Sequence, residues 1–156
     1  MTEGNLKFFR NIFNSENIEE PKKVYEEASS FDDLEINEDI LRGIYAMGFE
    51  TPSAIQRLAI RPMLDKYDLI AQAQSGTGKT GTFTISILQR IDFNDLNLQA
   101  LIIVPTRELA QQIQKVISSI GAYCKVKAMS VIGGTDVRTD IYTLKDGVHI
   151  VVGTPG

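Results

Sequence analysis

The sequence lacks most of the features that mark secreted, disulfide-bonded or membrane-embedded proteins. It contains a single cysteine, Cys124, so no disulfide can form within the chain, which is typical of a reducing compartment. No apolar run is long enough to cross a bilayer, and the opening residues Met1 to Gly4 do not resemble a signal peptide. These absences predict a protein of the cytoplasm or the nucleus, without a membrane partner.

A net positive charge, the usual mark of a nucleic-acid-binding surface, is also missing. The formal net charge is −4, and the acidity is concentrated at the start of the chain. Residues 1–36 contain nine acidic and four basic side chains, whereas residues 37–156 contain eleven and twelve. Because this remainder is nearly neutral and has no broad basic face, any binding of nucleic acid must depend on a few local contacts.

The chain is long enough for one domain, and its patterning predicts alternating strands and helices. We predict a variable, flexible leader over residues 1–30 and a domain over residues 31–156. Apolar runs and apolar residues at helical spacing alternate along this domain, which is typical of an α/β fold with a parallel sheet and helices on both sides. The predicted strands are 68–71, 100–104, 126–132 and 149–152, and the predicted helical faces run through 40–45, 55–60, 83–91, 109–120 and 137–144.

The stretch Ala73–Thr80 reads Ala-Gln-Ser-Gly-Thr-Gly-Lys-Thr and lies between a predicted strand and a predicted helix. This context is typical of a phosphate-cradling loop, because glycines let backbone N–H groups turn inward toward the ligand. Lys79 would contact the β- and γ-phosphates, and the Thr80 hydroxyl would bind Mg²⁺. Ala73 stands where the strict pattern has glycine, and a glycine-rich turn without a ligand is the alternative. The predicted nucleoside triphosphate site consists of Ala73, Gln74, Ser75, Gly76, Thr77, Gly78, Lys79 and Thr80.

Three further loops follow predicted strands, at residues 105–108, 133–134 and 154–156. In open α/β sheets, ligands bind beyond the carboxyl ends of the strands. Each loop alone is ordinary capping or turn sequence, but together they predict a second binding surface beside the triphosphate. Backbone N–H groups and Arg107 would suit the phosphates of a polymer, since such contacts position a strand without reading its sequence.

Residues 48–56 read Gly-Phe-Glu-Thr-Pro-Ser-Ala-Ile-Gln, and Phe31 lies seventeen positions upstream of Gly48. This stretch resembles the Q motif of the DEAD-box RNA helicases. The similarity covers residues 31–156, and the sequence around the motifs resembles most the translation initiation factor 4A group, whose relatives include the helicase of the exon junction complex. The other matches are residues 73–80 with motif I, 105–110 with motif Ia, Gly133–Gly134 with the glycine pair and 154–156 with the start of motif Ib.

The resemblance implies a RecA-like P-loop NTPase domain that hydrolyses ATP with Mg²⁺ and couples hydrolysis to RNA binding and duplex unwinding. Gln56 would hydrogen-bond adenine, and Phe31 would stack on it. A side-chain amide matches the amino group and N7 of adenine, whereas guanine would leave buried polar groups unpaired. Lys79 and Thr80 would be the catalytic residues. The residues expected to hold the RNA backbone are Pro105, Thr106, Arg107, Gly133, Gly134, Thr154, Pro155 and Gly156.

The sequence departs from that family because it contains no Asp-Glu-Ala-Asp motif, no Ser-Ala-Thr motif and no second RecA-like domain. Without the Asp-Glu pair, no carboxylate would complete the Mg²⁺ site or orient the attacking water. The strands with those motifs lie beside the phosphate-loop strand in this family. We therefore expect a domain that is incomplete at its C-terminus, in which that strand lacks its central neighbours.

Two functional hypotheses remain open. The first is an ATP-dependent RNA helicase represented here by the N-terminal part of its first motor domain. The second is a non-enzymatic fragment that binds nucleotide or RNA; another P-loop transferase is disfavoured by the Q motif and motif Ia. Under the first hypothesis we expect a monomer whose partners are RNA, contacted through its backbone, and proteins of translation initiation or of the exon junction.

Overall fold

In a computed structural model that describes residues 25–155, the chain forms a three-stranded parallel sheet with helices packed against it. The predicted leader therefore lies outside the described residues, apart from its last six, and so does Gly156. The predicted α/β class with a parallel sheet is confirmed. The elements in chain order are a short 3₁₀ turn Asp32–Leu34, α1 Glu38–Ala46, α2 Ala54–Leu64, α3 Lys79–Arg90, β1 Ala100–Ile103, α4 Arg107–Ile120, β2 Ala128–Val131, α5 Val137–Asp146 and β3 Ile150–Gly153.

The last strand in the chain is the central strand of the sheet. The order is β1-β3-β2, and Ile150 of β3 is paired with Ala100 on one side and Ala128 on the other. At the other end of the strands, Gly153 is paired with both Ile103 and Val131. Because all three strands run in the same direction, the loops that follow them leave the sheet at one edge.

Local capping explains where the helices begin. The Asn37 side chain accepts a hydrogen bond from the Asp39 N–H at 2.9 Å, and α1 starts there. Thr106 Oγ1 accepts from the Leu109 N–H at 3.3 Å at the start of α4. In both cases a short polar side chain satisfies an N–H group that the first helical turn leaves unpaired.

The main hydrophobic core lies on one face of the sheet, and a smaller buried cluster of Met129, Val148 and Val151 is separate from it. Ile150 and Val152 of β3 are fully buried, and they share one cluster with buried side chains from α1, α2, α3 and α4. On the opposite face, Leu101 and Ile103 are 60% and 66% exposed. The main core is therefore built from one sheet face and four helices.

The predicted helical face in 137–144 is confirmed as part of a helix, but the structure does not bury it. The helix α5 is present, but none of its residues is buried, and Val137, Ile141 and Leu144 are all exposed. The spacing of apolar residues shows that one face of a helix could be buried. The face is buried only if another element packs against it. The main core therefore receives no buried side chain from α5.

The predicted strand 68–71 is also absent. Residues 67–74 have no regular secondary structure, and Ile70 is 60% exposed. A strand requires a neighbour that takes its N–H and C=O groups, and within residues 25–155 no strand pairs with this segment. Its apolar sequence would suit a buried strand, but the described sheet does not include this segment.

The crossing of α1 and α4 gives a test of the core. A Cβ at Gly43 would lie 1.8 Å from the Ile120 carbonyl oxygen, so only glycine fits there. Although alanine normally stabilises a helix interior relative to glycine, we expect Gly43→Ala to lower the free energy of unfolding by about 1–3 kcal/mol through overpacking. Urea unfolding of the two proteins measures the difference. An unchanged or raised free energy of unfolding would show that the two helices separate without cost.

Candidate functional site

The glycine-rich loop turns directly into the start of α3. Gly76 and Gly78 have φ angles of 81° and 98°, in the left-handed region that favours glycine. Gly78 is the N-cap of α3, so the unpaired N–H groups of the first helical turn face the loop. The predicted turn from the glycine-rich loop into a helix is therefore present. The strand that was predicted before the loop is not. The half-buried loop residues are Ala73, Thr77, Gly78, Lys79 and Thr80, and the exposed ones are Gln74, Ser75 and Gly76.

The Lys79 ammonium group is held by carbonyl groups of its own loop. Its Nζ donates to the carbonyl oxygen of Ala73 and to that of Gln74, the latter at 2.6 Å. Thr77 Oγ1 donates to the same Gln74 carbonyl at 2.7 Å. A triphosphate would replace these carbonyls as the partner of the ammonium group, because charged oxygens make stronger hydrogen bonds with it.

Gln56 connects the start of α2 to this loop. It is the third residue of α2 and only 3% exposed. Its Oε1 accepts from the Ser53 N–H at 2.8 Å, and its Nε2 donates to the Gly78 carbonyl at 3.3 Å. A side-chain amide has two N–H donors and two acceptor lone pairs, so one of each remains for a ligand. The structure therefore brings the predicted base-binding residue and the predicted phosphate loop into direct contact.

A cavity of about 390 Å³ opens beside the start of α2. This volume is in the range of pockets that hold small molecules. Arg57 lines it and is oriented by a 2.8 Å hydrogen bond from its Nε to the Pro52 carbonyl. Neither Ser53, which is the N-cap of α2, nor Arg57 was predicted as a site residue from the sequence. The lining residues are Glu27, Thr51, Pro52, Ser53, Ala54, Arg57 and Leu58.

Phe31 is not part of this group in the structure. Its side chain is fully buried in the hydrophobic core, where its ring meets Tyr45 edge-on at 6.3 Å. The Tyr45 hydroxyl donates to Asp32, and this hydrogen bond raises the pKa of Tyr45. A base could stack on Phe31 only after the ring became exposed, so the stacking role stays a prediction.

A second group of predicted residues meets at the carboxyl edge of the sheet. A Cβ at Gly133 would lie 2.8 Å from Arg107 Nη2, and one at Gly134 would lie 3.2 Å from Nη1. The guanidinium group thus lies directly against the glycine pair. The Thr154 N–H donates to the Val131 carbonyl at 3.3 Å, which brings the third loop to the same edge. Pro105, Thr106 and Pro155 are exposed there, and Thr154 is half-buried.

The charge of Arg107 is available to a ligand. Within residues 25–155, the only ion pair is the one between Lys127 and Asp146 at 3.5 Å. No carboxylate therefore neutralises Arg107 in the described part of the chain.

Residues 25–155 contain no group of three or more histidine, cysteine or acidic side chains that could hold a metal ion. None of the helices described there has the length and apolar character that a membrane span requires.

The sequence matches the family profile described as DEAD/DEAH box helicase over residues 53–156. It is 62% identical over 127 residues to "Eukaryotic initiation factor 4A" of Caenorhabditis elegans, covering 81% of this chain and 32% of that protein. It is 58% identical over 131 residues to "ATP-dependent RNA helicase eIF4A" of Pyricularia oryzae, covering 84% and 33%. The chain thus spans about a third of the length of the curated relatives it matches.

Solved structures give the same result for the fold. A DEAD box protein from Methanococcus jannaschii matches with a TM-score of 0.77 at 37% identity, over 84% of this chain and 36% of that chain. S. cerevisiae Dbp5 bound to RNA and ADP BeF3 matches with a TM-score of 0.74 at 36% identity, over 83% and 32%. The predicted RecA-like class and the resemblance to the initiation factor 4A group are confirmed.

Two glycines in the left-handed region allow a matched test of the loop. A Cβ at Gly78 would lie 2.9 Å from Gln56 Nε2, whereas one at Gly48, with a φ of 79°, would meet nothing within 4 Å. We expect Gly48→Ala to lower the free energy of unfolding by about 1–2 kcal/mol through backbone strain. Gly78→Ala should lose about 1 kcal/mol more because it also displaces the Gln56 hydrogen bond. Equal losses in urea unfolding would contradict the tight contact.

Proposed function

The chain belongs to the DEAD/DEAH box helicase family, and from that premise we propose that it forms the nucleotide-binding part of an ATP-dependent RNA helicase of the initiation factor 4A type. The observation that carries this proposal is the contact of Gln56 with the Gly78 carbonyl at 3.3 Å. That contact joins the segment expected to select the base to the loop expected to hold the phosphates. The names of the relatives, which are RNA helicases and initiation factors, support the same assignment.

The loop residues fit a triphosphate with Mg²⁺. Gly78 leaves a space beside Ser53 and Gln56 that a Cβ would fill, and the first turn of α3 offers its N–H groups there. Lys79 would exchange the Ala73 and Gln74 carbonyls for the β- and γ-phosphates. Thr80 would bind Mg²⁺ through its hydroxyl, with phosphate oxygens and waters as the other ligands. The bound ion would neutralise the charge that develops on the phosphates.

Adenine would lie at the start of α2. The free N–H and lone pair of the Gln56 amide match the pattern of adenine, and the adjacent cavity is large enough for a base. This placement supports selection of ATP over GTP. A stacking contribution from Phe31 would require its ring to leave the core.

RNA would lie across the carboxyl edge of the sheet. Arg107, supported by Gly133 and Gly134, offers a guanidinium group without a carboxylate partner among the described residues. Thr154 and the backbone of its loop lie at the same edge. Such a surface would hold phosphates of a strand without reading its sequence. We extend the proposal to a monomer of the cytoplasm or nucleus that works with proteins of translation initiation or of the exon junction.

A non-enzymatic binding role is the second candidate for a polypeptide of these 156 residues. The sequence contains no Asp-Glu-Ala-Asp motif, and residues 25–155 hold no acidic cluster that could complete a metal site. Such a polypeptide would bind nucleotide or RNA without turnover.

The first test concerns base choice. Gln56→Ala should weaken binding of a fluorescent ATP analogue to this chain by about 1–3 kcal/mol, because a buried amide and its partners lose their hydrogen bonds. The wild-type chain should bind the matching GTP analogue much more weakly. Gln111→Ala, at an exposed position of α4, is the control and should leave both affinities unchanged. Equal affinities of the wild-type chain for the two analogues would refute the assignment.

The second test concerns turnover. A polypeptide of these 156 residues should release no phosphate from ATP above background, with or without RNA, because it lacks the carboxylate that orients water and metal. The Lys79→Ala variant defines the background in a phosphate-release assay. RNA-stimulated release by the wild-type chain that Lys79→Ala abolishes would show that this polypeptide is itself an enzyme.

A further inference from the structure

The Gly78 carbonyl group receives an unusual number of hydrogen bonds. The Thr82 N–H donates to it at 2.9 Å, as the first hydrogen bond of α3. Thr82 Oγ1 donates to it at 3.0 Å, and Gln56 Nε2 does so at 3.3 Å. A carbonyl oxygen has two lone pairs, so these three donors saturate it.

Holding this carbonyl also orients the adjacent N–H group. The peptide bond between Gly78 and Lys79 is planar, so the carbonyl of Gly78 and the N–H of Lys79 turn together and point in opposite directions. With the carbonyl directed at Thr82 and Gln56, the Lys79 N–H is directed away from both. Gly78 has a φ of 98° and the wide conformational freedom of glycine, so the two side-chain donors add to the helical hydrogen bond in restricting this peptide.

We propose that Thr82 is a positioning residue for the phosphate loop, which acts by holding the Gly78 carbonyl jointly with Gln56. This role rests on the proposed function of the loop. Back-bonding of a threonine hydroxyl to the carbonyl four residues earlier is common in helices. Here, however, the same carbonyl also receives a side chain from α2, and Thr82 is only 4% exposed, so the contact is enclosed by two helices.

The helix provides its own control. Thr84 is fully buried two residues along α3, and among the described residues its hydroxyl has no hydrogen-bond partner. Thr82→Val and Thr84→Val remove the same atoms from the same helix, but only the first removes a contact to the loop. Thr82→Ser restores the hydroxyl without the methyl group.

The experiment measures binding of ATP and of AMP to the full 156-residue chain, by competition with a fluorescent ATP analogue. Thr82→Val should weaken ATP binding about three- to tenfold, the value of one hydrogen bond, and leave AMP, which lacks the β- and γ-phosphates, unchanged. Thr82→Ser and Thr84→Val should bind ATP like the wild type. Unchanged ATP binding by Thr82→Val would overturn the proposal, and so would equal weakening for ATP and AMP, since that indicates a merely structural role.

A nucleotide-free measurement separates this inference from the proposed function. Absence of ATP binding by the wild-type chain would refute the proposed function. In that case, the amide resonances of Lys79 and Thr80 in ¹H–¹⁵N spectra would test whether Thr82 holds the Gly78–Lys79 peptide. We expect both resonances to broaden in Thr82→Val, because the peptide reorients, and to stay sharp in Thr84→Val. Sharp resonances in both variants would overturn the inference.

Discussion

The parallel pairing of β3 with both of its neighbours is the constraint on which the candidate site depends. Ile150 and Val152 are buried in the core, so the central strand is fixed against the helices and the outer strands are fixed against it. Parallel direction then sends three loops to one edge. Arg107 therefore lies against a glycine pair that is more than twenty residues away in sequence.

The phosphate loop depends on a different kind of contact. Its glycines turn the backbone, but the loop satisfies its polar groups internally, through Lys79 with the Ala73 and Gln74 carbonyls. Among residues 25–155, the one side-chain hydrogen bond that the loop receives from another helix comes from the Gln56 amide. Because that amide also accepts from the Ser53 N–H, a rearrangement of the loop on ligand binding would reach the start of α2.

Exposed apolar side chains distinguish the described structure from an α/β domain whose sheet is covered by helices on both faces. Leu101 and Ile103 of β1 are exposed, and helix α5 buries none of its residues. No strand within residues 25–155 pairs with the segment at 67–74. The matched region covers about a third of each of the solved relatives.

The sequence by itself determined the features that need only a few neighbouring residues. The caps at Asn37 and Thr106, the left-handed glycines of the loop and the motif order that identifies the family all belong to this class. Each depends on backbone freedom or on a hydrogen bond across one turn, which local residue types control. Hydrophobic spacing likewise indicated the strands and helices that the sheet and core contain.

Only the tertiary structure decided which apolar residues are buried and which side chains meet. An aromatic side chain such as that of Phe31 can pack in a core or stack on a ligand. In this structure its ring is buried in the core and contacts Tyr45 edge-on. The run 68–71 has the composition of a strand, but no strand among residues 25–155 pairs with it, and no element in the same part of the chain covers the apolar face of α5. Pairing and burial are relations between segments distant in sequence, so a local pattern states only what a segment could do, and the contacts available in the fold decide what it does.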